Sequence, residues 1–94
     1  MEFKDKDIES FWINPENSPA RRVPPNLRKV LYRRLQMLDA AVHINDLRIP
    51  PGNHLEKLSG NRLGQYSIRV NQQWRLCFVW TANGAKGVEF NDYH

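Results

Sequence analysis

The sequence has 94 residues, a single cysteine and a formal net charge of +4 at pH 7. This length suits one modest core, so we predict a single domain over residues 1–94 and exclude a separate cofactor domain. The lone Cys77 excludes an internal disulfide. No apolar run approaches membrane-spanning length and the first residues lack a secretion signal, so we expect a cytoplasmic protein that does not bind membranes.

Charge is distributed unevenly along the chain. Residues 1–16 contain two lysines and five acidic residues, a net charge of −3, whereas residues 17–94 contain twelve basic and five acidic residues, a net charge of +7. A cationic surface attracts polyanions through counterion release. The body of the protein therefore favours a nucleic-acid partner, although solubility alone would tolerate this charge. The acidic stretch either packs as a helix or shields the basic surface until a partner displaces it.

Two helices are predicted in the first half of the chain. Residues 5–12 place Ile8, Phe11 and Trp12 at helical spacing on one face, and residues 14–19 read as a loop. A longer helix begins at Pro24-Pro25, where proline is tolerated in the first turn, and ends near Val42. Its apolar positions recur every three or four residues and form one stripe: Leu27, Val30, Leu31, Leu35, Leu38 and Val42.

The second half has the period of two that is typical of strands. A stiff connector at residues 47–53 leads to a short strand at residues 55–58, and Asn83-Gly84 supplies a later turn. Three apolar alternations follow the connector: Tyr66, Ile68 and Val70; then Trp74, Leu76, Phe78 and Trp80; then Val88 and Phe90. We therefore predict an α+β fold in which two N-terminal helices pack on a small antiparallel β-sheet.

The apolar alternation also predicts the register of the central hairpin. A three-residue loop, Asn71-Gln72-Gln73, places Ile68 opposite Leu76 and makes one face uniformly apolar, whereas a two-residue loop mixes the faces. In the chosen register Arg69 lies opposite Arg75. Like charges opposed on adjacent strands are destabilising, so we expect a nearby anion, either Glu89 on the following strand or a substrate phosphate.

The chain ends with Asp92-Tyr93-His94 directly after the last predicted strand. Histidine exchanges protons near neutral pH, and arginine with a histidine acid suits cleavage of a phosphodiester without a metal. A frayed polar tail is the alternative interpretation of the same residues.

The stretch from Leu38 to Phe78 carries three segments that are specific in combination with the terminal DYH: PPGN-L, LSGNR-GQ-SIRVN and QWRLCF. Together they resemble the HigB/GraT branch of the RelE superfamily, toxins of type II toxin–antitoxin systems. The resemblance covers about the last two-thirds of the chain. It implies a RelE-type microbial RNase fold and metal-independent mRNA cleavage on the ribosome without a cofactor. It also implies a HigA-like helix-turn-helix antitoxin, through which any contact with DNA would be indirect.

The resemblance also implies roles for individual residues. Asp92, Tyr93 and His94 match the family's terminal acid, tyrosine and histidine, and Arg75 matches its active-site arginine. We expect His94 to act as general acid and Arg75 to stabilise charge on the phosphate. Weaker candidates for contact with RNA or phosphate are Arg69, Lys57, Arg62 and His54.

Two positions depart from the family pattern. Where the best-studied HigB branch has a histidine and a lysine, this chain has Glu56 and Ser59, while His54 and Lys57 lie two residues out of step. A two-residue offset on a strand moves a side chain by about 7 Å. Either His54 and Lys57 compensate from these shifted positions, or the site has fewer basic groups and cleaves weakly. We favour the second interpretation, with Glu56 as a possible general base. We interpret His43, after the long helix, as structural or merely exposed.

A function of another class remains open. A non-catalytic module that binds RNA or the ribosome, or that only titrates an antitoxin, would use the same basic and aromatic residues. Such a module would keep its effect on translation after His94→Ala, whereas a nuclease would lose most of it.

Overall fold

The computed structural model describes residues 1–92, and Tyr93 and His94 lie outside the described residues. The helices are α1 (Lys6–Ile13) and α2 (Arg28–Ala40), and the strands are β1 (Glu56–Lys57), β2 (Gln65–Arg69), β3 (Trp74–Thr81) and β4 (Gly84–Asp92). Short 3₁₀ turns cover Pro25–Leu27, Ile44–Arg48, Pro51–Asn53 and Gly60–Arg62. A helix needs about 20 residues to cross a bilayer, and no helix within residues 1–92 is long and apolar enough.

The four strands form one antiparallel meander in the order β1-β2-β3-β4, so the predicted α+β class is confirmed. The predicted hairpin register is also confirmed, with Ile68 opposite Leu76 and Arg69 opposite Arg75. The amide of Val70 donates to the carbonyl of Trp74 across the three-residue loop at 2.9 Å. A slip by one residue would move every apolar side chain to the other face, so burial of that face selects this register.

The helices cover the apolar face of the sheet. The fully buried side chains of this core come from both halves of the chain: Ile8, Leu31, Leu35, Ile68, Leu76, Phe78, Val88 and Phe90. The predicted end of the long helix was wrong by two residues, because α2 ends at Ala40 and Ala41 turns into extended backbone. Val42 therefore lies outside the helix and is 76% exposed rather than part of the apolar stripe.

A β-bulge lets β4 bury three side chains on the same face. Val79 pairs with Lys86 and Cys77 pairs with Glu89, so two residues of β4, Gly87 and Val88, oppose one residue of β3. Gly87 has a φ of +62°, a conformation that glycine adopts without steric cost. Because of the extra residue, Ala85, Val88 and Phe90 can all face the core.

The first residues of the chain run along the outer edge of β4, an arrangement that the sequence pattern does not predict. Phe3 forms a parallel bridge with Val88, and the amide of Val88 donates to the carbonyl of Glu2 at 3.0 Å. Asp5 then caps α1 by accepting from the amide of Ile8 at 3.3 Å. The acidic stretch therefore packs into the fold, with a helix at residues 6–13 close to the predicted 5–12.

Candidate active site

The candidate site lies on the face of the sheet opposite the helices. Strand alternation places polar or small side chains there, with Ser67 opposite Cys77, Arg75 opposite Asn91 and Cys77 opposite Glu89. The segment from residue 54 to residue 62 covers part of this face through contacts of His54 and Arg62. Cys77 is fully buried there, and burial raises the pKa of its thiol. This thiol is therefore a poor nucleophile near neutral pH.

Arg75 is the charged side chain at the centre of this face, and only 3% of its surface is exposed. Its Nε donates to Ser67 Oγ at 2.7 Å, and its Nη2 donates to the carbonyl of His54 at 2.5 Å and to that of Ser67 at 3.4 Å. Its Nη1 lies 3.9 Å from Oε1 of Glu56. A buried guanidinium needs such partners because desolvation without them is very costly.

The sequence predicts an anion near the opposed pair Arg69 and Arg75. Among the described residues, Glu56 is the carboxylate that forms an ion pair with Arg75. Glu89 pairs instead with Arg62 and, at 3.6 Å, with Lys4. Of the two anions expected near the arginine pair, Glu89 was therefore wrong, and a substrate phosphate stays a prediction. The register explains it, because Glu89 lies opposite Cys77, two residues along β3 from Arg75.

Glu89 is the centre of a separate polar network. Besides Arg62, it accepts a hydrogen bond from Nδ2 of Asn91 at 2.9 Å, and Arg62 also donates to Gln65 at 3.0 Å. Burial alone would raise the pKa of Glu89, but the hydrogen bonds from Asn91 and Arg62 outweigh it, and the pKa is lowered. The hydrogen bond that Arg62 donates to Glu89 raises the pKa of Arg62. This network fixes the turn Gly60–Arg62 against the sheet.

A pocket of about 260 Å³ opens beside β1 and borders the candidate site. It is lined by Glu56, Lys57, Leu58, Ser59 and Arg62. Glu56 and Ser59, the two positions that depart from the family pattern, therefore line the same pocket. Its lining includes two cationic residues, Lys57 and Arg62, and one carboxylate, Glu56. The carboxylate repels anions, so the pocket suits a negatively charged group once the side chain of Glu56 has turned away.

Two of the remaining predicted residues, Arg69 and His54, lie next to Arg75. Arg69 pairs with Arg75 across β2 and β3, and its carbonyl accepts from Nε of Arg34 at 3.0 Å. The side chain of His54 is exposed, and its contact with Arg75 is made by the backbone carbonyl. His43 is also exposed, as expected, and precedes the turn Ile44–Arg48, where its amide donates to Oδ2 of Asp46 at 3.1 Å.

Asp92 lies at the end of β4 and is exposed. The register places it opposite Trp74, whereas its neighbour Asn91 lies opposite Arg75. Oδ2 of Asp92 accepts from Nε2 of Gln73 at 2.9 Å. Tyr93 and His94 lie outside the described residues, so their predicted roles stay predictions.

Sequence reasoning missed Ser67, Asn91 and Gln73. The predicted register of β2 with β3 carried the signal for Ser67, which lies two residues along β2 from Arg69 on the same face. The position of Asn91 opposite Arg75 depends on the β-bulge of β4, which the sequence pattern does not predict. Gln73 lies in the hairpin loop, where side-chain direction does not follow from strand alternation.

Comparison with known proteins places the whole chain in one family. A family model described as the RelE-like toxin of the type II toxin–antitoxin system HigB matches residues 1–94. Toxin HigB-1 of Vibrio cholerae serotype O1 is 46% identical over 93 residues, which cover 99% of this chain and 92% of the relative. Endoribonuclease HigB of Proteus vulgaris is 36% identical over 92 residues, which cover 98% of this chain and 96% of the relative.

A solved structure supports the fold independently. A chain in the YoeB-YefM complex from Staphylococcus aureus aligns with a TM-score of 0.58 at 23% identity, covering 99% of this chain and 93% of that chain. The predicted resemblance is thus confirmed by sequence over the full length and by architecture. The protein belongs to the HigB family of RelE-like toxins of type II toxin–antitoxin systems.

Proposed function

We propose that this toxin is an endoribonuclease that cleaves mRNA in the A site of the ribosome. The observation that carries the proposal is Arg75, a buried arginine held by Ser67 and by the carbonyl of His54 beside a pocket with cationic side chains. An arginine held in advance of binding stabilises charge that develops on a phosphate without reorganising at the moment of reaction. The relative from Proteus vulgaris, named an endoribonuclease, supports the same activity.

The proposed reaction is a transesterification that needs no metal. The ribose 2′-hydroxyl loses its proton and attacks the adjacent phosphorus, and the bond from phosphorus to the 5′-oxygen breaks. His94 donates a proton to that leaving oxygen, so the products are a 2′,3′-cyclic phosphate and a 5′-hydroxyl. Asp92 positions the reacting groups or helps to remove the proton, and Tyr93 stacks on a base or orients the phosphate.

Glu56 has two opposing effects in this proposal. Among the described residues, Glu56 is the carboxylate that pairs with Arg75. It is therefore the candidate general base that takes the proton of the 2′-hydroxyl. Its negative charge also repels the incoming phosphate, and its side chain, which is 47% exposed, must turn away before the phosphate reaches Arg75. Cleavage is therefore expected to be weaker than in relatives with a basic residue here.

Other basic groups would contribute affinity rather than chemistry. Lys57 and Arg62 line the pocket, and Arg69 lies beside Arg75. The imidazole of His54 is exposed and suited to contact with a phosphate. Contacts of this kind hold a nucleic-acid backbone without reading its sequence.

The partners proposed for the toxin are the ribosome, the mRNA and a HigA-like antitoxin with a helix-turn-helix. Membership of a toxin–antitoxin family supports the antitoxin. Any contact with operator DNA would be made by that antitoxin, and the complex would act in the cytoplasm.

The second candidate function is a non-catalytic module that binds RNA or the ribosome or titrates the antitoxin. The ion pair of Glu56 with Arg75 favours it, because a carboxylate already neutralises the group that should receive the phosphate. Binding would then survive without cleavage.

The test uses 70S ribosomes stalled on a defined mRNA with an empty A site. New 5′ ends are mapped by primer extension after incubation with the wild type or with His94→Ala, both treated with EDTA. Cuts in the A-site codon that vanish in the variant establish the nuclease. Binding to the ribosome without cuts establishes the non-catalytic module.

A further inference from the structure

Hydrogen-bond acceptors inside the protein hold the guanidinium of Arg75 in one orientation. Its guanidinium is planar, and the plane is held on two sides, at Nε by Ser67 Oγ at 2.7 Å and at Nη2 by the carbonyl of His54 at 2.5 Å. Two bonds from different atoms of one plane fix both its position and its rotation. With 3% of its surface exposed, Arg75 has little water available to replace either bond.

The two acceptors are themselves fixed by the backbone. Ser67 is fully buried in the middle of β2, between Glu56 on β1 and Cys77 on β3. His54 leaves the turn Pro51–Asn53 with a φ of +45°, a left-handed conformation uncommon outside glycine, and its carbonyl meets Arg75 from there. The orientation of Arg75 therefore depends on β2 and on the turn before β1.

We infer that Ser67 is a positioning residue for the proposed reaction, because its hydroxyl holds the Arg75 guanidinium in the orientation that receives the phosphate. The His54 carbonyl provides the second fixed point. This inference rests on the proposed role of Arg75. Through the buried side chain of Ser67, β2 controls that role.

The first test does not need the ribosome. The Nε–Hε group of Arg75 is observed by ¹⁵N NMR in the free toxin and assigned by its loss in Arg75→Lys. A buried Hε bonded to Ser67 should give a resolved signal that exchanges slowly with water. Ser67→Ala removes the acceptor, so exchange should accelerate by about tenfold or more. Ser67→Thr keeps a hydroxyl and should retain slow exchange.

The second test separates positioning from binding. Cleavage is measured at saturating and subsaturating concentrations of programmed ribosomes for the same variants. Ser67→Ala should lower kcat by about tenfold and leave KM within the error of the wild type, and Ser67→Thr should recover most of the rate. A partly unfolded variant would also lower the apparent kcat without changing KM, so each rate is divided by the folded fraction of the same variant measured by urea denaturation.

Ser18→Ala is the matched control. Ser18 is also a buried serine, but its hydroxyl has no hydrogen-bond partner among the described residues and it lies in the loop between α1 and α2. We expect this variant to keep the wild-type kcat and the Arg75 signal. An equal loss in Ser18→Ala and Ser67→Ala would overturn the inference.

The remaining outcomes are equally decisive. Unchanged Hε exchange in a folded Ser67→Ala variant would overturn the inference, whatever the cleavage assay shows. If the wild type does not cleave, the proposed function fails, while faster Hε exchange in Ser67→Ala would still establish that Ser67 holds the guanidinium.

Discussion

Oε1 of Glu56 lies 3.9 Å from Nη1 of Arg75, so the buried arginine of the candidate site is already paired with a carboxylate before any RNA binds. Glu56 is on β1, directly opposite Ser67, which holds the same arginine from the other side. One position on a strand of two residues therefore offsets part of the charge of the buried arginine.

Substitution of Glu56 should separate its two proposed effects. Glu56→His keeps a group that can accept a proton and removes the negative charge, so we expect faster cleavage than in the wild type. Glu56→Gln removes both, and its rate should fall by at least about tenfold. Single-turnover cleavage on programmed ribosomes measures the series. Because both variants lack the negative charge, a Gln variant as fast as the His variant would exclude Glu56 as the base.

Replacement of Arg75 by lysine should remove most of the activity while keeping the positive charge. Lysine lacks the planar fork that bonds Ser67 and the His54 carbonyl together. We expect kcat to fall by about 100-fold, as for the loss of one preorganised donor. Ribosome binding, measured by cosedimentation, should change little. A large loss of binding instead would mean that Arg75 acts mainly in affinity.

The network around Glu89 predicts a loss of stability in acid. The pKa of Glu89 is lowered in the folded protein, so its contribution to stability is complete above the unfolded pKa and is lost as pH falls through the folded pKa. Glu89→Gln should lower the free energy of unfolding by about 1 to 3 kcal/mol at pH 7. The difference from the wild type should shrink in acid.

Urea denaturation at several pH values measures this effect. Glu16→Gln, which changes an exposed carboxylate in a loop, serves as the control and should match the wild type. A gap between wild type and Glu89→Gln that stays constant with pH would show that the network does not depend on the charge of Glu89.

Asp5 should be the acidic residue of the first segment that matters most for stability. Its side chain is 8% exposed, pairs with Arg22 and accepts from the amides of Ile8 and Phe90. Asp5→Ala should lower the free energy of unfolding by about 1 to 3 kcal/mol, because a helix cap and an ion pair are lost together. The melting temperature checks it, and Glu2→Ala, at an exposed acid, should cost much less.

The hairpin register was predictable because a single rule decides it: only one pairing of β2 with β3 buries a uniformly apolar face. The same rule placed Arg69 opposite Arg75. It could not tell that Arg75 would be buried, since burial of the polar face depends on the segment that covers it, near His54.

The features of the fold that the sequence did not predict depend on backbone hydrogen bonds or on where a helix ends. Residues 2–5 join β4 through amides and carbonyls, which leave no side-chain pattern to read. The stripe on α2 appeared to continue to Val42 because an apolar residue happened to fall at helical spacing after the helix had ended. The roles of Tyr93 and His94 rest on residue type and on the resemblance, because both lie outside the described residues.

The pairing of the first residues with β4 has a consequence for the order of folding. The hairpins of the meander join neighbours in sequence and close short loops, whereas Asp5 and Phe90 are 85 residues apart. We expect the β2–β3–β4 meander to assemble early and the N-terminal segment to dock late. Amides of β4 that donate to this segment, such as Val88, should then gain protection from exchange after those inside the β2–β3 hairpin.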